Sequence, residues 1–205
     1  LFCGSNTKKI YNQEWTSIYQ CRNLDCQLLF AWPQLSEEAL MSCYRNYYYP
    51  DFNQEGIYKP TPEQVVRQRI SHGAILAKDN KGRRFLDFGC GVGTSLKVAK
   101  ELGFITVGLE SDDIARKTAL AKSKESKVYS GLAELLNSED KFDVIFMNDV
   151  IEHISRPVET LKILGGLLKK NGVIFISTMN RNSLKAYLLR QKWDSYCNPT
   201  HLYYF

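Results

Sequence analysis

The sequence predicts an α/β fold built on a doubly wound, mainly parallel sheet, with a small irregular module in front of it. Three observations predict this. From Phe85 to Ser177, short apolar runs alternate with amphipathic stretches, the pattern of parallel strands joined by crossover helices. One run leads directly into Gly89-Cys90-Gly91-Val92-Gly93, three alternating glycines that open a helix. The 205 residues, 44% hydrophobic and 24% charged, suit one such domain plus an appendage and exclude a disordered, collagen-like or coiled-coil chain.

Residues 1–55 are rich in Tyr, Trp, Gln and Asn and show little regular period, so they read as a small cysteine- and tyrosine-rich module. Within it Ser36 is placed to open a short helix through Glu37, Glu38, Ala39 and Leu40. Residues 56–80 form a linker and a helix: the prolines of Lys59-Pro60-Thr61-Pro62-Glu63 mark the boundary, and Val65, Val66, Ile70, Ala74, Ile75 and Leu76 keep helical spacing as far as Ala77. Lys81-Gly82-Arg83-Arg84 is a turn. Residues 81–205 make the main domain, with strands at 85–88, 105–109, 127–129, 142–147 and 173–177. Helices are predicted at 94–102, 112–123, 132–136 and 157–170, the last stopped by Asn171-Gly172. Tyr203-Tyr204-Phe205 reads as the opening of a further strand, with the sheet's last strands missing. Leu1 in place of an initiating Met makes the chain read as a segment of a longer protein.

Lys and Arg number 27 against 22 Asp and Glu, a net charge of +5, but the cations are scattered (Lys8, Lys9, Arg83, Arg84, Lys169, Lys170) and form no long block. That argues for a solvated surface and against a nucleic-acid partner. The longest apolar runs fall far short of the roughly 18 residues a membrane helix needs, so no membrane is expected. No leader pattern follows Leu1, and a cytoplasmic location is expected. Nothing in the sequence points to an oligomeric state.

Glycines let the loop after Phe88 turn tightly and approach a ligand, while the helix that follows offers its N-terminal amides to an anionic group. A nucleotide-type cofactor is the natural occupant. The dinucleotide fingerprint spaces its glycines G-x-G-x-x-G, whereas this loop is G-x-G-x-G with Thr94 next, which disfavours an NAD(P)-dependent oxidoreductase. The stretch Leu86-Asp87-Phe88-Gly89-Cys90-Gly91-Val92-Gly93 resembles the first motif of class I S-adenosylmethionine-dependent methyltransferases, which have a Rossmann-like sheet. Val107-Gly108-Leu109-Glu110 resembles the second motif. Phe142-Asp143-Val144-Ile145 with Asn148-Asp149-Val150-Ile151-Glu152-His153-Ile154 resembles the fourth-strand motif, and Lys169-Lys170-Asn171-Gly172-Val173-Ile174-Phe175-Ile176-Ser177 the fifth-strand entry. The resemblance covers Lys81 to Phe205.

That resemblance implies S-adenosylmethionine as cofactor, S-adenosylhomocysteine as product and a small-molecule or glycan-like acceptor, with O- or C-methylation the expected reaction. It puts the cofactor among Asp87, Phe88, Gly89, Gly91, Gly93, Glu110, Leu132 and Asn148. Glu110 would accept the ribose hydroxyls, the alternative being a surface carboxylate; Asp87 would touch the cofactor or only brace the loop. Leu132 stands where many members have Asp, so the adenine edge would rest on backbone groups and apolar packing. Cys90 reads as a small packing residue. His153 is the candidate general base with Glu152 beside it, the alternative being a helix cap. In some quinone-pathway relatives the residues corresponding to Asp149, Glu152 and His153 hold a divalent cation. A catalytically silent module with this fold is the rival from another class.

Cys3, Cys21 and Cys26 cluster early, which in a chain without a signal peptide suggests metal before disulfides. They resemble the paired-cysteine zinc modules of some small-molecule methyltransferases, sugar C-methyltransferases among them. The resemblance implies a structural zinc, with a further cysteine expected ahead of Cys3; without zinc these are reduced thiols. Tyr44, Tyr47, Tyr48, Tyr49 and Tyr58, and Trp193, Tyr196, His201, Tyr203 and Tyr204, are expected either over an acceptor pocket or in interface packing.

Overall fold

The computed structural model describes residues 3–43, 61–73 and 79–205. Along the chain run β1 (Thr7–Asn12), β2 (Ser17–Cys21), β3 (Leu29–Trp32), α1 (Glu37–Cys43), α2 (Glu63–Gly73), β4 (Arg84–Phe88), α3 (Thr94–Glu101), β5 (Ile105–Leu109) and α4 (Asp113–Lys122). There follow β6 (Lys127–Tyr129), α5 (Leu132–Asn137), β7 (Phe142–Asn148), α6 (Pro157–Gly166), β8 (Leu168–Ser177), α7 (Leu184–Leu189), α8 (Asp194–Cys197) and β9 (Tyr203–Tyr204). Two compact units form. One gathers the N-terminal stretch to Cys43 with Ile151–Ser155 and Thr178–Phe205; the second holds the chain up to Val150 and Arg156–Ser177. The segment Thr178–Phe205, expected in the main domain, thus clusters with the N-terminal strands.

In the second unit five parallel strands run in the order β6-β5-β4-β7-β8. The central strands are covered on both faces, which is why they read as continuous apolar runs. Phe85, Leu86, Ile145 and Phe146 are fully buried. Val66 and Ile70 of α2 join Phe85, Val98, Ala99, Phe104, Val144 and Phe146 in one core cluster, so α2 is anchored on the sheet by its apolar stripe. The expected extension of that helix to Ala77 lies outside the described residues, as do Tyr44, Tyr47, Tyr48, Tyr49 and Tyr58.

One helix boundary needs correction. The stretch 157–170 was expected to be helical to Lys170, but α6 ends at Gly166 and β8 already begins at Leu168, which pairs with Phe142. Pairing then skips from Phe142↔Leu168 to Val144↔Val173, with Asn171 at φ 64° in the excursion. Asn171-Gly172 therefore shapes an irregularity inside a strand and not a helix stop. Sheet pairing outweighs the local helical signal.

The N-terminal module is not irregular: β1, β2 and β3 form an antiparallel sheet, and β9 adds to β3 with Leu29↔Tyr204 and Phe30↔Tyr203. Only Ile18 and Cys21 of β2 are buried, so its Tyr and Gln positions blur the alternation a sequence pattern relies on. The strand foreseen at Tyr203 exists, but it pairs with β3 and does not extend the parallel sheet. Ile18, Leu29, Ala31, Ala186, Trp193, Tyr196 and Tyr204 form this unit's main core cluster. Trp193, Tyr196 and Tyr204 are packing residues here. Ser36 does cap α1, accepting the Ala39 amide at 3.2 Å. Among the described residues no helix is long and apolar enough to cross a membrane.

Candidate functional site

β4 stands at the centre of the parallel sheet, and the crossovers leave it toward β5 on one side and return at β7 on the other. Such a reversal opens a crevice at the strands' carboxyl ends. The glycine loop leaves β4 at that point. The amides of Gly89 and Cys90 both donate to the Leu109 carbonyl, at 2.9 and 3.0 Å, pinning the loop across the end of β5. Gly89 has φ +77°, and a Cβ there would stand 2.7 Å from Val150 Cγ2; Gly93 has φ +80°, and a Cβ there would stand 2.7 Å from the Ala119 Cα. No side chain caps α3 beyond Gly93, so its first amides face the loop. Cys90 packs with Leu96, Ala119 and Val128, and burial pushes its thiol pKa up; it is no nucleophile.

Two buried carboxyls flank the loop. Glu110 accepts the Gly91 amide on Oε2 and the Asp112 amide on Oε1, each at 2.9 Å. Burial raises its pKa, while these amides pull it back toward the charged form. Asp87, only 1% exposed, is driven up to about 8 by burial and by the neighbouring charge of Glu110, against the opposing pull of the Ser95 hydroxyl. Its Oδ2 is buried without a hydrogen-bond partner among the described residues. Phe88 is buried at the end of β4, and Leu132 is half-buried at the first position of α5.

At the carboxyl end of β7, Asn148 and Asp149 meet Arg69 of α2. Arg69 Nη1 donates to Asn148 Oδ1 and, at 3.1 Å, to Asp149 Oδ2; Asn148 Nδ2 donates to Asp149 Oδ2 at 3.0 Å and lies 3.4 Å from Thr61 Oγ1. Asp149 holds φ +55°, an uncommon conformation for a residue other than glycine. Sequence reasoning missed Arg69 and Thr61, because a cation on the polar face of a helix carries no motif.

In the other unit His153 ends a single 3₁₀ turn, Ile151–His153. Its Nδ1 lies 3.0 Å from the Thr200 carbonyl, which only accepts, so Nδ1 carries the proton and Nε2 the lone pair. Burial, with a smaller push from His201, drives its pKa down to about 3; burial drives that of His201 to about 4. The two rings meet edge to face at 4.7 Å, and Glu152, His153 and His201 bring ligand atoms within 4.8 Å of one another. Within this unit Glu152, His153 and His201 form the cluster, while Asp149 in the second unit pairs with Arg69.

Cys3, Cys21 and Cys26 also bring their sulfurs within 4.8 Å of one another, Cys3 and Cys21 at 3.3 Å. A tight turn makes this possible, with the Cys26 and Gln27 amides donating to the Asn23 carbonyl. Hydrogen bonds from Ser5 lower the Cys3 pKa to about 7. Three converging thiols, one near its thiolate form, suit a soft tetrahedral cation such as zinc. Among the described residues no fourth Cys, His or carboxylate joins them.

A five-stranded parallel sheet with a glycine loop and an acidic residue at the ends of its first two strands defines an α/β nucleotide-cofactor fold. The chain belongs to the methyltransferase domain family, whose model matches residues 63–205, and its fold is the Rossmann-like class I methyltransferase fold. It is 31% identical over 150 residues to the ubiquinone biosynthesis O-methyltransferase of Pasteurella multocida, covering 66% of this chain and 61% of that one. To the enzyme of the same name in Aeromonas salmonicida it is 33% identical over 144 residues, covering 67% and 60%. Among solved structures, a SAM-dependent methyltransferase from Archaeoglobus fulgidus superposes with TM-score 0.55 at 26% identity, over 69% of this chain and 62% of that one. The plantazolicin methyltransferase BpumL, TM-score 0.55 at 21% identity over 80% and 62%, shares the fold. The chain spans about three-fifths of the length of these relatives.

Proposed function

We propose that this chain is the cofactor-binding part of an S-adenosylmethionine-dependent methyltransferase that methylates a small-molecule acceptor on oxygen. The observation that carries the reading is the Glu110 carboxylate, buried at the crevice and bonded to the glycine-loop amide of Gly91. The relatives named as ubiquinone biosynthesis O-methyltransferases support oxygen as the target. S-adenosylmethionine, when bound, supplies a methyl group on a cationic sulfonium centre.

The residues present fit that group. Each Glu110 oxygen takes one amide and retains acceptor capacity, enough for a pair of ribose hydroxyls. Gly89, Gly91 and Gly93 keep the loop free of side chains along the methionine portion. Arg69 is the cation at this edge for a carboxylate, with Asn148 beside it. Asp87 Oδ2 gives a buried acceptor for an ammonium group. Phe88 and Leu132 supply apolar walls.

His153 and Glu152, five and four residues along the chain from Asn148, are the proposed handlers of the acceptor's proton. A neutral ring with the proton on Nδ1 has its lone pair on Nε2, the atom type that accepts a hydroxyl's proton. Its depressed pKa makes it an orienting acceptor that takes the proton only as the methyl moves. We also infer that Cys3, Cys21 and Cys26 hold a structural zinc. Titration calorimetry with S-adenosylmethionine and S-adenosylhomocysteine, with NADH as control, tests the central reading: binding of the first two alone is expected, and binding of NADH alone overturns it.

A further inference from the structure

Asn198 stands at the centre of a hydrogen-bond network that ends on His153. Its Oδ1 accepts the Thr200 amide at 3.0 Å and the Thr200 hydroxyl at 2.8 Å, and its Nδ2 meets His201 Nε2 at 3.1 Å. A backbone amide only donates, so the bond from Thr200 fixes which end of the Asn198 side chain is oxygen and leaves the donor Nδ2 facing the His201 ring. His201 agrees from its other side: Nδ1 lies 2.9 Å from the Ser195 carbonyl, which only accepts, so Nδ1 carries the proton and Nε2 receives the Asn198 bond.

The two bonds to Oδ1 also hold the backbone from Asn198 to His201 in shape, since an asparagine oxygen that takes the amide two residues on closes the chain into a local turn. Thr200 is wholly buried in that turn, and the Leu202 amide donates to the Glu152 carbonyl at 2.8 Å, tying the turn to the residues around His153. The Thr200 carbonyl thereby arrives 3.0 Å from His153 Nδ1, 47 residues away in the chain. The partner of one imidazole nitrogen decides which nitrogen keeps the lone pair. Were that carbonyl turned away, the proton would be free to sit on either nitrogen. An ordinary turn asparagine needs only its oxygen; here Nδ2 makes a second link to the same cluster, through a ring that meets His153 edge to face at 4.7 Å.

We propose that Asn198 is a positioning residue for His153: through the Thr200 carbonyl it holds the proton on Nδ1 and so keeps Nε2 as the basic atom. This rests on the reading of His153 as handler of the acceptor's proton. The chain has three histidines, so two-bond proton–nitrogen correlation spectra of the isotope-labelled full chain at neutral pH resolve each ring, with His72→Gln and His201→Gln assigning them. Such spectra tell a protonated ring nitrogen from an unprotonated one. His153 and His201 are both expected with the proton on Nδ1 alone. Asn198→Ala should erase the single-tautomer pattern of His153 and give a mixture of Nδ1–H and Nε2–H forms. Asn198→Asp keeps an oxygen for Thr200 but sets an acceptor where Nδ2 donated, so it should preserve the His153 pattern and alter that of His201 alone. Circular dichroism verifies the fold, and if Asn198→Ala does not fold, the Asp variant decides the matter by itself. A proton on Nε2 of His153 in the unaltered chain overturns the proposal together with the base assignment, while calorimetric cofactor binding reads the methyltransferase assignment separately. A His153 pattern unchanged in the Ala variant, or lost in the Asp variant, overturns the proposal and leaves His153 as base.

Discussion

The carboxylate of Glu110 accepts the backbone amide of Gly91 at 2.9 Å, so the end of the second parallel strand holds the loop that follows the first. Under the proposed function, this bond would link cofactor recognition to loop shape. Glu110→Ala should weaken S-adenosylhomocysteine binding by on the order of 1.5–3 kcal/mol, the scale of hydrogen bonds to a charged group. Glu110→Gln should keep the fold and recover part of the affinity. Calorimetry reads both, and an unchanged affinity in the Ala variant removes Glu110 from the site.

Gly93→Ala should cost more than an ordinary surface change. Its φ of +80° disfavours any Cβ, and that Cβ would meet the Ala119 backbone at 2.7 Å, which cannot swing away as a side chain does. A loss of about 1–3 kcal/mol in urea unfolding is expected, with weakened cofactor binding. Wild-type stability would show that the loop can relax.

Arg69→Met should leave Asn148 and Asp149 without their cation and reduce cofactor affinity, with Arg69→Lys restoring part of it. Calorimetry at low and high salt checks this, since a charge contact responds to salt and a packing role does not.

Stability should fall in mild acid. His153 and His201 have folded pKa values near 3 and 4, below the ordinary value of 6.5, so the unfolded chain binds more protons between pH 4 and 6.5. Stability therefore rises with pH across that window and is lost as pH falls through it. Facing groups are Glu152, the two rings themselves and the carbonyls of Thr200 and Ser195. Thermal unfolding from pH 4 to 7 should show the slope, and His201→Gln should flatten it.

Zinc should copurify at one equivalent or less and be released by a strong chelator, with Cys21→Ser abolishing it. Elemental analysis measures this; thiols that titrate freely in untreated protein would show reduced cysteines instead.

Much of the parallel sheet was legible because its determinants are local and repeated. Runs such as Phe142–Met147 are buried on both faces, and glycine, proline and capping residues punctuate the segments between them. The glycine loop and Glu110 were legible for the same reason: a strand end with a required backbone shape leaves a spaced signature. The N-terminal strands were not, because no position of β1 and only Ile18 and Cys21 of β2 are buried, so neither strand carries the alternation that marks a half-buried strand.

By itself, then, the sequence determined the order of strands and helices from Arg84 to Ser177 and the loop at the head of α3, since short-range sterics and burial dictate both. Only tertiary structure decided what lies far apart in the chain: Arg69 on Asn148, His201 against His153, Cys3 beside Cys21, and β9 on β3. No local pattern encodes such partners, because each contact is fixed by the packing of residues 18 to 175 positions apart and not by the residues beside it.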